Sequence, residues 1–116
     1  MRIAIANQGE IRIDRIDEMP AKATKPHAEM HKGNFVISHS KSGHHHLLGR
    51  DVEVLERTED VPAGARILYA IVKEPTELWQ DAAAPHQPVG LDPGIYEMRI
   101  KREYDPFAEQ ARQVAD

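Results

Sequence analysis

Six of the seven histidines fall between His27 and His46, and three of them, His44, His45 and His46, are consecutive. Imidazole is the side chain that changes charge near neutral pH and, when neutral, is the commonest metal ligand. On an extended strand His44 and His46 project to one face and His45 to the other, so the His-x-His spacing offers two imidazoles to a single ion. If residues 40–43 form a four-residue hairpin loop, His39 lies opposite His44 and joins the same face, with β-carbons roughly 4.5–5.5 Å apart. That register sets Ile37 against His46 and Phe35 against Leu48, at one end of an apolar face that favours the neutral, ligating imidazole. His86, between Pro85 and Pro88, is a fourth candidate that tertiary folding would have to bring back.

The sequence therefore nominates His44, His46, His39 and His86 as ligands of a divalent metal. Cysteine is absent, so only nitrogen and oxygen donors are available, and three histidines suit zinc as well as iron or manganese. The alternatives are a solvated polar hairpin tip, a pH-sensitive contact, or an anion site of protonated histidine beside Lys41. His27 and His31, four apart around Glu29, could chelate together only on a helix and read as surface residues. Ser38, Ser40 and Ser42 lie beside histidines, but a nucleophile also needs an oriented base and an oxyanion site. Asp14, Asp17 and Glu18 could form an acid/base pair, although a charge cluster at a strand end is ordinarily solvated. There is no phosphate-binding P-loop, nucleophile elbow or His-Glu-x-x-His helix.

The elements that would position these residues alternate with period two. Ile3 and Ile5, then Ile11 and Ile13, flank the Asn7-Gln8-Gly9 turn signal and predict a hairpin. Residues 18–34 lose the apolar pattern, contain Pro20 and Pro26, and read as a long surface connection with one helical turn near His27 to His31. Residues 35–39 and 44–48 predict a second hairpin, and Val52 and Val54 a further strand. Arg66 to Val72 is apolar on both faces, as a central strand would be. Thr76 to Gln80 predicts a short strand, 81–93 a loop, and 95–104 a strand whose Tyr96, Met98 and Ile100 face away from Glu97, Arg99 and Lys101. Asp105 is a good N-cap, Pro106 suits a first helical position, and Phe107, Ala111 and Val114 follow at helical spacing. The expected fold is all-β and mainly antiparallel, a small barrel or sandwich with one short C-terminal helix. Residues 1–116 would form a single domain, a β-domain over 1–104 and a helix over 105–116.

Two resemblances bear on function. Gly43-His44-His45-His46, with Gly64 and Pro93-Gly94 following, resembles the first metal motif of cupin barrels, in which two histidines and a following glutamate bind iron, manganese or zinc. Arg50 and Asp51 stand where that glutamate usually falls, and Glu53 lies further on. More of the chain resembles a family of small uncharacterised proteins of bacteriophages, prophages and bacteria. The resemblance runs from Gln8-Gly9-Glu10-Ile11 through Gly43-His44-His45-His46 to Arg102-Glu103-Tyr104-Asp105-Pro106, matching its "QGDV", "GHxH" and "REYDP" segments with Glu10 in place of aspartate. It implies a phage or mobile-element origin and no particular activity.

Bulk composition narrows the classes further. With 41% hydrophobic and 29% charged residues the chain is in the globular rather than the disordered regime. A net charge of −4 gives no footprint for nucleic acid, although Arg99, Lys101, Arg102 and Arg112 could make a local basic patch. No stretch approaches the roughly 20 apolar residues of a membrane span, and the N-terminal residues lack a signal-peptide core. The expected location is cytoplasmic or virion-associated. The C-terminal stripe suggests a homo-oligomer, and a virion or host protein is the alternative partner.

Overall fold

The computed structural model describes residues 1–39, 44–49, 51–82 and 87–101. The expected C-terminal helix, the 40–43 turn, His86, Arg102 and Arg112 lie outside these residues.

Strand β1 (Ile3–Gln8) turns back into β2 (Ile11–Ile16) through Gly9 and Glu10. Gly9 has φ 57°, the left-handed geometry that a tight hairpin turn requires and that glycine adopts without steric cost. The segment after β2 is not the plain surface connection its composition suggests. It contains β3 (Ala23–Pro26) and β4 (Met30–His31), and both Ala23 and His27 are buried. No helical turn forms at 27–31. The His27 backbone N–H donates to the Val54 carbonyl and its ring Nε2–H to the Val36 carbonyl at 2.6 Å, so extended pairing satisfies this stretch instead. Lys32 and Gly33, both at positive φ, then close a two-residue turn into β5 (Asn34–Ser38). Its Lys-Gly pair lacks the asparagine or aspartate that makes such turns recognisable.

The remaining strands are β6 (His46–Leu48), β7 (Glu53–Arg57), β8 (Ala65–Val72), β9 (Thr76–Gln80), β10 (Val89–Leu91) and β11 (Gly94–Lys101). They complete a six-stranded sheet in the order β1-β2-β11-β8-β7-β3 and a five-stranded sheet in the order β10-β9-β6-β5-β4, with every pairing antiparallel. The fold is all-β. Of the two expected architectures it is the sandwich, because the described strands form two separate sheets rather than a closed barrel. The 81–93 region also holds β10, which extends the smaller sheet at its edge.

The main core lies between the sheets. Ile11, Ile13, Val54, Leu68, Ala70, Val72, Met98 and Ile100 from the larger sheet meet Ile37, Leu48, Leu78 and Leu91 from the smaller one. A second apolar cluster, Ile67 and Tyr69 with Ala23, Met19, Ile16, Leu55 and Val61, covers part of the larger sheet's outer face. Strand β8 is therefore apolar on both faces because both are covered, as its composition predicts.

Candidate functional site

The two hairpin strands meet in a register that rearranges the expected histidine face. Phe35 pairs with Leu48 as anticipated, but a bulge between Val36 and Ser38 sets Ser38, not Ile37, opposite His46. One extra residue in β5 transfers the side chains beyond it to the other face of the sheet. His39 consequently meets His45 rather than standing with His44 and His46. The structure does not bring His39, His44 and His46 together.

His46 points into the sandwich and is 1% exposed. Its partner Gln8 has a fixed orientation, because Nε2 donates to the carbonyls of Leu78 (2.9 Å) and Gln87 (2.8 Å). Gln8 Oε1 therefore accepts from His46 Nδ1–H at 2.7 Å, which settles where the ring carries that proton. His46 Nε2 lies 3.6 Å from Glu10 Oε2, and Ser38 Oγ–H donates to the other Glu10 oxygen. This buried polar group ties the β1–β2 hairpin to β5, β6 and β9. His44 is exposed.

The other face carries a second group that spacing alone does not disclose. His39 Nδ1 and His45 Nδ1 are 3.2 Å apart, with rings nearly perpendicular at 88°. His39 Nε2 lies 2.5 Å from Glu29 Oε2. The carboxylate holds the proton on Nε2, so in the neutral ring Nδ1 of His39 bears the lone pair and accepts from His45 Nδ1–H. His31 meets the His45 ring edge-on at 5.1 Å, and its Nε2 stands 3.8 Å from Asp81 Oδ2. Asp81 is held by its own N–H, which donates to the His45 carbonyl, and is flanked by Lys32 Nζ at 3.6 Å. Burial, together with the neighbouring His39 and His31, pushes the pKa of His45 below the ordinary histidine value and keeps that imidazole neutral, against a weaker pull upward from Glu29 and Asp81.

Two imidazole nitrogens on one tetrahedral zinc, each at 2.0–2.1 Å, are about 3.3 Å apart. The His39–His45 separation is that of an N–H···N hydrogen bond and is also compatible with two nitrogens on one ion. Glu29 would then be an outer carboxylate that orients His39. Among the described residues, no group of three or more His, Asp or Glu side chains stands ready to enclose a metal.

A third polar group lies on the outer face of the larger sheet. Glu97 and Asp14, in register across β11 and β2, are 1% and 2% exposed. Asp14 is thus not part of a solvated strand end as its neighbours suggest, whereas Asp17 is exposed and pairs with the N-terminal ammonium. Arg2 donates to both Glu97 oxygens (2.6 and 3.1 Å) and to Asp14 (2.8 Å), and Arg99 Nε and the Tyr69 hydroxyl also donate to Glu97. Burial alone would raise the Glu97 pKa, but these donors outweigh it and hold the carboxyl at about 2.

The family described as "Domain of unknown function (DUF8820)" matches residues 7–101. The chain belongs to this family. Its matched span includes Gln8, Glu10, Glu29, His39, His45, His46 and Glu97. No curated protein and no solved structure matches the chain. Among the described residues, no helix is long and apolar enough to cross a membrane.

Proposed function

We propose that this DUF8820 chain is a small, phage-type metal-binding β-domain. Its metal centre is on the exposed face of the histidine hairpin, with His39 and His45 as ligands and Glu29 as positioning residue. The observation that carries this reading is the 3.2 Å Nδ1···Nδ1 approach backed by the 2.5 Å Glu29 contact. Zinc fits the nitrogen pair, and copper(II) would bind such a pair more tightly still. Of the residues nominated by spacing, His39 is kept. His46 serves better as an interior clasp, because its Nδ1–H is committed to Gln8. Zinc titration of wild type, His39→Ala and His44→Ala tests the reading. Loss of binding in the first variant and its retention in the second support it, and the reverse pattern returns the site to His44.

A homo-oligomeric, structural role has one observation in its favour. Among the described strands β1 is a sheet edge, its sequence Ile3–Gln8 carries no charge, and Ile3 and Ile5 are 50% and 39% exposed. Such edges pair with other chains unless they are blunted. Light scattering over a dilution series tests this second reading, since a mass equal to one chain at every concentration refutes it.

A further inference from the structure

We infer that Arg12 and Arg99 form a binding site for a phosphate-type oxyanion on the outer face of the larger sheet, separate from the histidine centre. The two residues are directly opposed across β2 and β11. Like charges in this relation destabilise a sheet unless something compensates, and their β-carbons are separated by roughly 4.5–5.5 Å. The compensation here lies beneath them. Arg12 Nε donates to Asp14 Oδ1 at 3.3 Å and Arg99 Nε donates to Glu97 Oε1 at 2.6 Å.

Both carboxylates are buried, so each guanidinium is tethered at its inner nitrogen to a fixed point. The terminal nitrogens of both arginines, with four N–H bonds each, have no other protein partner among the described residues, and the side chains are 60% and 46% exposed. Arg2 adds a third guanidinium, so three cations face two carboxylates within a chain of net charge −4. The patch is thus positive against the overall balance, and its spare donors are the terminal nitrogens of two neighbouring guanidinium groups. That arrangement suits a tetrahedral dianion, which can take a bidentate contact from each guanidinium, better than it suits a planar monoanion. The ligand is free phosphate or the phosphomonoester of a small molecule.

The test is an amide NMR titration of the full chain at constant ionic strength, with a chelator present so that no metal occupies the histidines. Inorganic phosphate should give saturable shifts centred on β2 and β11, and acetate should bind more weakly. Arg12→Gln and Arg99→Gln should each weaken phosphate by about ten-fold or more, the effect of losing a charge-assisted contact. Arg99→Lys, which keeps the charge and loses the fork, should also weaken it and covers the case in which a glutamine variant fails to fold. Tighter binding of phenyl phosphate than of inorganic phosphate assigns a monoester, and equal binding assigns the free anion. Shifts that do not saturate, acetate binding as tight as phosphate, or phosphate affinity unchanged in Arg99→Lys overturns the inference. Loss of zinc binding in His39→Ala leaves these outcomes untouched.

Discussion

Replacing Glu97 with glutamine removes the anion at the centre of the Arg2, Arg99 and Tyr69 contacts while preserving its shape. The carboxyl is held at about 2 against a usual 4.5, a difference that corresponds to about 3 kcal/mol at 1.36 kcal/mol per unit. Arg2 and Arg99 are each 46% exposed and can rehydrate, so screening lowers the expected loss to about 2–3 kcal/mol. For a domain of this size that is a fall in Tm of about 10 °C at pH 7. The sign follows from the depressed pKa. A carboxylate held below its unfolded value contributes fully above about pH 5, and that contribution is lost as pH falls toward about 2. Thermal melts followed by circular dichroism, for wild type and Glu97→Gln at pH 7 and at pH 2.5, should show a wide gap that narrows in acid. A variant that melts with wild type at pH 7, or a gap unchanged in acid, shows that the Glu97 anion does not stabilise the fold.

Other perturbations have equally definite outcomes. Gln8→Leu removes the buried contacts to His46 Nδ1 and the Leu78 carbonyl and the part-buried one to the Gln87 carbonyl, and urea unfolding should show a loss of about 2–4 kcal/mol. Tyr69→Phe removes one donor to Glu97 without a cavity and should cost only about 1 kcal/mol in the same assay, with the Glu97 carboxyl titrating higher by NMR. Because the His45 pKa is lowered, zinc binding should survive acidification further than it would with an ordinary histidine near 6.5, which a pH series of zinc titrations can read. Glu29→Gln should weaken zinc by about 10–100-fold without unfolding the chain, the effect expected of an outer carboxylate.

Most of the strands were legible because their alternation is strong. Ile11 and Ile13, Val52 and Val54, and Tyr96, Met98 and Ile100 all bury the face that period two assigns to them. The histidine site was half legible. Composition pointed to the hairpin that carries the His39–His45 contact, but the bulge at Ile37 has no sequence signature and decides whether His39 joins His44 or His45. His31 and Glu29 reach the site only because Lys32 and Gly33 close a turn whose residue types announce little. Glu97 and Asp14 read as solvent-facing by alternation, yet a signal was present. Strand β8 is apolar on both faces, so its outer face must be covered, and the polar residues in register with Tyr69 are drawn under the same cover.

The proposed metal lies between His39 and His45. Isothermal titration of zinc into untagged full-length protein, wild type against His45→Ala, tests it most directly. Strand alternation without the bulge makes His45 dispensable, so the two registers predict opposite results. One equivalent of zinc bound by wild type and none by His45→Ala, with the variant still folded by circular dichroism, is the expected result. Zinc binding undiminished in His45→Ala, or absent from wild type, rules out a metal site at this histidine pair.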